Sequence, residues 1–248
     1  WQTTVSDYVI HQGYGASPFL YQSLVIVAAD NKQSGLLAAF DRQTGERVWH
    51  RKRPNKPNYP TPTVLHVDDR DQLILTGTDL VTSLVPLTGE LDWEIQGATT
   101  ECVTSAVTDG THIFTSGGYP DNHMSAVRAD GSGEEVWRNR NRVYVPSMLV
   151  DDGYLYGVLD AGVASCWEAG SGRQMWKKRL GGTFSASPVL VRDRIYVTNE
   201  SGETFIFGCR SDAFELIGKN KLGDSVFATP AICGSHIFTR VAFDRQGK

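Results

Sequence analysis

The sequence is poor in cysteine, has no long apolar run and carries no strong excess of either charge. Its 248 residues include only four cysteines, none of them adjacent to another or at the spacing of a metal site. A net charge of −4 argues against a nucleic-acid-binding protein, which is normally basic. No apolar segment approaches the roughly 20 residues of a membrane span, so we predict none. The N-terminal residues lack the pattern of a secretory signal peptide. Two alternatives stay open: a signal peptide that has been removed, and a lipid anchor on residues before Trp1.

Residues arranged for catalysis are also lacking. The six histidines are scattered, and neither a Ser-His-Asp or Cys-His arrangement nor a glycine-rich phosphate loop can be recognised. The acidic segment 68–71 lacks the glycine and the glutamate that complete a calcium-binding loop, so we interpret it as a hairpin turn. The sequence therefore predicts no catalytic residue, no cofactor and no metal ligand.

What the sequence does contain is a regular repeat marked by tryptophan. Four tryptophans each follow a glycine by four residues, and they recur at steps of 44, 44 and 39 residues. Self-similarity at this period is typical of propellers and solenoids. The four residues are Trp49, Trp93, Trp137 and Trp176.

A second mark keeps nearly the same step. Pairs such as Ser17-Pro18 open six apolar segments, at steps of 44, 44, 42, 40 and 42 residues. Behind each opening the pattern predicts short strands joined by tight turns such as Asp109-Gly110, where glycine accepts a positive φ. No segment shows sustained helical periodicity. Four antiparallel strands in about 40 residues form one blade of a β-propeller.

We therefore predict an all-β protein, a single β-propeller domain of about six four-stranded antiparallel blades. Residues 242–248 repeat the pattern of residues 39–45 before the chain stops, so the last blade is incomplete. Two alternatives stay open: N-terminal residues complete that blade and close a six-bladed ring, or the chain is part of a seven- or eight-bladed propeller. The predicted blades span residues 13–53, 59–97, 102–140, 145–180, 184–223, and 226–248 together with 1–12.

The repeated tryptophan has a predicted structural role. Trp49, Trp93, Trp137 and Trp176 lie on the outermost strand, where a large ring can pack on the turn of the next blade. The glycine lies where that turn needs a residue without Cβ. Trp1 is interpreted as the tryptophan of a preceding fourth strand. The fifth unit has an aliphatic residue near the tryptophan position, and we expect looser packing at its outer edge.

Residues 39–49, followed by the Ser/Thr-Pro opening, resemble the PQQ-like repeat. This repeat builds the blades of quinoprotein alcohol dehydrogenases and of the BamB-type lipoprotein. The resemblance implies a propeller and a place in the periplasm or at the cell surface. Its enzymatic members hold a cation, a catalytic Asp, adjacent cysteines and a tryptophan below the quinone. This sequence has no Cys-Cys pair, and we assign Trp167 to strand packing, so we expect no quinone and no enzymatic activity.

One predicted face of the propeller is basic. The fourth-strand ends and the links that follow carry clustered Arg and Lys, and aromatic residues recur at the entry to each innermost strand. Such a composition suits recognition of a peptide strand or an acidic loop. Alternatively, these cations protect outer strands against edge-to-edge pairing and the aromatics pack between blades. The candidate partner-binding residues are Arg51, Arg53, Tyr59, Tyr119, Arg140, Arg142, Tyr144 and Phe184, and loop 117–124 is the candidate specificity element.

The function predicted from these features is a non-enzymatic scaffold that binds a protein or peptide partner through one loop face. A role in envelope or outer-membrane protein assembly follows from the resemblance. Two alternatives remain: a quinone- or sugar-handling enzyme that uses the central channel, and an extracellular sensor module of a larger receptor.

Overall fold

The computed structural model describes residues 1–7 and 12–244. Their regular secondary structure is entirely β-strand, and each strand pairs antiparallel with its neighbour in sequence. Contacts divide the chain into two compact units, residues 1–141 and 142–248. The observed sheets confirm the predicted all-β propeller class of four-stranded blades. The single-domain organisation and the closure of the ring stay predictions.

The first unit contains three sheets, each built from four consecutive strands in the order of the chain. Alternating burial along β2 (Leu24–Ala28) places every second side chain between sheets, as the two-residue period of a strand requires. The core of this unit therefore lies between neighbouring sheets. The remaining strands are β1 Phe19–Tyr21, β3 Gly35–Asp41, β4 Arg47–Arg53, β5 Thr63–Val67, β6 Arg70–Gly77, β7 Leu80–Leu84, β8 Leu91–Gln96, β9 Val107–Thr108, β10 His112–Gly117, β11 His123–Arg128 and β12 Glu135–Asn139.

The second unit contains two four-stranded sheets and one two-stranded sheet. Aromatic rings fill much of its core, which includes Phe184, Phe205 and Phe207. The strands are β13 Leu149–Asp151, β14 Tyr154–Leu159, β15 Val163–Glu168, β16 Gln174–Arg179, β17 Val189–Val191, β18 Arg194–Thr198, β19 Glu203–Gly208, β20 Leu216–Lys221, β21 Ala231–Cys233 and β22 His236–Phe238.

The end of the described chain differs from the sequence interpretation. Residues 242–244 do not form the third strand that their likeness to residues 39–41 suggested. Ala242 instead makes an isolated antiparallel bridge with Ser225, in the link that precedes β21. The same kind of bridge joins Glu101 to Tyr119, which lies in a loop. Ala242 therefore occupies a loop position, and residues 245–248 lie outside the described residues.

Trp49 and Trp176 lie against the turn of the following sheet, as the repeat predicts. The indole Nε1 of Trp49 donates to the Pro86 carbonyl at 3.1 Å, and a Cβ on Gly89 would lie 2.5 Å from its ring. Trp176 donates to the Arg210 carbonyl at 2.7 Å. That turn has no glycine, and the edge of the Phe214 ring contacts Trp176 at a centroid distance of 5.5 Å.

Trp1 repeats this arrangement at the start of the chain. Its Nε1 donates to the Arg42 carbonyl at 3.1 Å, and its ring covers Gly45. It therefore packs as the tryptophan of a preceding fourth strand is expected to pack.

Trp93 departs from that arrangement. Trp93 is buried between the second and third sheets, but its Nε1 donates to Gln72 of its own sheet at 2.9 Å. Ile95, rather than Trp93, lies against Gly133 of the next turn. Trp137 is half-buried and packs on Phe114 of its own sheet, at 6.1 Å between ring centroids. The prediction that Trp93 contacts the next turn is therefore corrected. Ile95, two residues further along β8, makes this contact instead.

Candidate functional site

The loop between β10 and β11 is fixed in place by the link that precedes its blade. The Tyr119 carbonyl accepts hydrogen bonds from Thr99 Oγ1 at 2.5 Å and from the Glu101 amide at 3.1 Å. A Cβ on Gly117 would collide with Thr99, so glycine permits the close approach of loop and link. The side chain of Tyr119 is nevertheless 54% exposed. The structure therefore presents an aromatic ring to solvent from a well-anchored backbone.

A cleft of about 560 Å³ lies beside this loop. The links between blades and the loops from the second to the third strand lie at the same end of the sheets. We call this end the link face. The cleft opens on the link face of the first unit, and polar side chains make up most of its lining. It is bounded by residues 79, 98–99, 120–123 and 138–140.

Two of the four charged residues of the cleft are neutralised within the protein. Asp79 accepts from Lys56 Nζ at 2.6 Å and from Thr100 Oγ1 at 2.7 Å. The hydrogen bond from Lys56 is the main reason why the pKa of Asp79 is lower than usual. Arg138 donates to Glu135 at 2.7 Å.

The other two charges, Arg140 and Asp121, are exposed. Neither forms an ion pair with any of the residues that the structure describes. Because the other pair is already compensated, Arg140 and Asp121 are the charges that the cleft offers to a ligand.

His123 lies at the buried end of the cleft and is only 5% exposed. Its Nε2 lies 3.2 Å from Thr115 Oγ1 and 3.1 Å from Ser125 Oγ. Burial, helped by the charge of Arg138, lowers the pKa of His123 to about 4. The imidazole is therefore neutral at physiological pH, and hydrogen bonding is its available chemistry. The sequence prediction included His123 only within loop 117–124. The sequence signal for its buried position is the pair of hydroxyl residues, Thr115 and Ser125, on the two strands that flank the loop.

Arg53, predicted to contact a partner, is buried instead. Its guanidinium forms an ion pair with Asp30 at 2.9 Å, and the two side chains are only 3% and 1% exposed. Desolvation raises the pKa of Asp30, and the opposite charge of Arg53 counteracts this effect. Asn58 also donates to Asp30, at 3.3 Å, so the carboxylate is satisfied from two directions. The prediction is therefore corrected. Arg53, at the end of β4, binds Asp30 in the loop between β2 and β3 and is not presented at the surface.

Two predicted aromatic residues are also buried. Tyr59 is 7% exposed, and Phe184 is fully buried and packs on Phe205 at 6.0 Å. The alternative interpretation, that these rings pack between blades, describes both residues, and their assignment to partner contact was wrong.

The remaining candidates stay accessible. In the first unit, Arg51 is half-buried, and Tyr119 and Arg140 are exposed. In the second unit, Arg142 is exposed and half-buried Tyr144 lies beside it, with the guanidinium carbon 5.0 Å from the ring centroid. Arg142 also forms an ion pair with Asp160 at 3.3 Å, so part of its charge is compensated.

Comparison with known proteins places this geometry in context. A family model described as outer membrane protein assembly factor BamB matches residues 1–119 and 120–208. No curated protein matches the chain. The crystal structure of BamB from Moraxella catarrhalis is similar, with 17% identity, a TM-score of 0.52 and coverage of 88% of this chain and 76% of that one. Quinohemoprotein alcohol dehydrogenase from Comamonas testosteroni is similar too, with 14% identity, a TM-score of 0.67 and coverage of 86% of this chain and 43% of that one. At these identities the two structures show the fold alone. Among the described residues, no helix is long and apolar enough to cross a membrane.

Proposed function

Because the chain belongs to the family described as outer membrane protein assembly factor BamB, we propose that it is a non-enzymatic scaffold. In this proposal it binds a protein partner through the link face of its first unit. The family name supports a place in the cell envelope, in the periplasm or at the cell surface, and a role in assembling envelope proteins.

The observation that carries the proposal is the pairing of an exposed aromatic ring with an uncompensated cation beside a cleft. Tyr119 projects from a backbone held by two hydrogen bonds, so little conformational entropy is lost when its ring is covered. Arg140 lines the adjacent cleft and has no ion pair among the described residues. Tyrosine and arginine are enriched among the residues that dominate binding energy at protein interfaces.

The residues of this chain do not fit a quinone site of the dehydrogenase kind. Cys102 and Cys166 are buried, and no two cysteines of the sequence are adjacent. Trp167 is fully buried within its sheet, and its ring lies against Gly157. An indole enclosed in this way cannot form the floor of a cofactor site. We therefore propose no step through a quinone.

Site-specific cross-linking tests the assignment of the face. A photoreactive amino acid at position 119 should capture a partner in intact cells, and the same group at Asp69, an exposed turn residue at the opposite end of the sheets, should not. Capture from both positions, or from position 69 alone, contradicts the assignment.

Binding of the purified partner gives the quantitative test. Arg140→Glu should weaken the affinity by about 30-fold or more, the loss of about 2 kcal/mol typical of an interface hot spot. Arg47 is an exposed arginine at the other end of the sheet, and Arg47→Glu, with the same change of charge, should leave the affinity unaltered. Equal effects of the two substitutions indicate a general charge effect and refute a specific role of the link face.

A further inference from the structure

We propose that the cleft beside Tyr119 receives an acidic side chain from an extended segment of the partner, whose carboxylate pairs with Arg140 and accepts a hydrogen bond from His123. This inference rests on the proposed function and specifies what the link face recognises.

The size of the cleft favours a segment of polypeptide over a single ion. A volume of about 560 Å³ lies within the range of about 300–1,000 Å³ typical of ligand pockets. One side of the cleft is formed by residues 120–123, and the other by the end of β12 with the one residue that follows, Arg140. An extended chain entering between them passes the exposed ring of Tyr119 and brings a side chain toward His123.

Hydrogen bonding defines what His123 offers. Both hydroxyl groups near the ring approach the same nitrogen, Nε2, at 3.2 and 3.1 Å. As part of the proposal we assign the ring proton to Nδ1, so that Nε2 accepts from one of these hydroxyls; a neutral imidazole carries one proton. Nδ1 makes no hydrogen bond with any described residue. In this tautomer His123, which lines the cleft, presents an N–H donor, and an acceptor is its natural partner.

The charges of the cleft select a monoanion. Arg140 is the uncompensated cation, and Asp121 is the uncompensated anion on the same walls. A phosphate group with about two negative charges at neutral pH would be repelled by Asp121 more strongly than a carboxylate would be. A carboxylate carries one charge and accepts bidentate hydrogen bonds from a guanidinium. The combination of one free arginine, one neutral N–H donor and one nearby free acid therefore matches Glu or Asp.

A synthetic peptide tests the inference without the natural partner. The purified full chain, labelled with ¹⁵N at histidine, is titrated with acetyl-Gly-Gly-Glu-Gly-Gly-amide and followed by NMR. Saturable shifts of the His123 side-chain signals are expected, with a dissociation constant in the millimolar range typical of a few weak contacts. The corresponding Gln and phosphoserine peptides should bind at least about 5-fold more weakly, a difference of about 1 kcal/mol. Arg140→Gln should abolish the response, and Arg47→Gln should preserve it.

The inference is overturned if the Glu and Gln peptides shift His123 equally, if the phosphoserine peptide binds more tightly, if Arg140→Gln binds as well as the native chain, or if no peptide shifts His123. Such results leave the scaffold standing when position 119 still captures a partner. If the Glu peptide binds as expected and position 119 captures nothing, the cleft is a carboxylate site and the scaffold function is refuted.

Discussion

The stability of the protein should fall steeply between pH 7 and pH 5 because of one buried histidine. His123 has its pKa lowered from 6.5 to about 4, mainly by desolvation. In the unfolded chain the same residue binds a proton near pH 6.5, so the unfolded state binds more protons than the folded state throughout this interval. Stability therefore rises with pH from about 4 to 6.5 and is lost as the pH is lowered.

The size of this effect follows from the two pKa values. Each pKa unit corresponds to about 1.4 kcal/mol. At pH 5 the unfolded histidine is almost fully protonated and the folded one almost fully neutral, which gives a loss of about 2 kcal/mol relative to pH 8. For the carboxylates whose pKa is lowered in the folded state, such as Asp79 and Asp109, the loss of stability occurs at lower pH, as each is protonated through its folded pKa.

Urea unfolding at a series of pH values measures the effect. The native chain should lose about 2 kcal/mol between pH 8 and pH 5, and His123→Gln should lose much less over the same range. His50→Gln is the matched control for the loss of a histidine, since His50 is exposed and lies outside the cleft. Parallel profiles for the native chain and His123→Gln, or an NMR titration of His123 near pH 6.5, would refute the reasoning.

Two further predictions concern the packing of the blades. Gly89→Ala should destabilise the protein by about 2–4 kcal/mol, because the new Cβ meets the Trp49 ring at a positive φ. Gly110→Ala is the control, since Gly110 also has a positive φ but lies in open space, and it should cost only about 1 kcal/mol. Similar thermal midpoints for the two variants would contradict docking of the ring. Arg53→Ala should lower the free energy of unfolding by about 3–5 kcal/mol, because it leaves Asp30 buried without its cation. The double variant Arg53→Met with Asp30→Asn should recover most of that loss in urea unfolding. If it recovers nothing, the result argues against a buried ion pair.

The fold was predictable because its signal is repeated. Gly89 and Trp49 lie on different blades, and the period alone predicts their contact, because it places the tryptophan of one blade beside the turn of the next. Where the sequence lacks the repeated tryptophan, the outer strand of the blade is also more exposed. Leu216 and Ile217 stand near the missing tryptophan position and are 51% and 45% exposed, in line with the looser outer edge that the sequence predicts.

The candidate site was predicted less well, since a period fixes a residue's place along the blade but not the partners that reach it. Tyr59 and Phe184 recur at the same entry position, and their burial depends on neighbouring sheets. The ion pair of Arg53 depends on Asp30, which lies 23 residues earlier in the chain. The environment of His123 likewise depends on hydroxyls of β10 and β11 that only the strand register brings together.

One local rule could nevertheless have separated Arg53 from Arg140. Side chains of a strand alternate between its two faces, so residues at an even distance from the buried tryptophan share its side. Arg53 follows Trp49 by four residues and is buried, as the alternation requires. Arg140 follows Trp137 by three residues and is exposed, and Lys52 has the same odd offset from Trp49 and is also exposed. Within β4 the buried arginine therefore lies at an even offset from Trp49 and the exposed lysine at an odd one. Lys52→Glu should consequently leave thermal stability nearly unchanged, whereas any loss of binding in Arg53→Ala should be accompanied by a lower midpoint of unfolding.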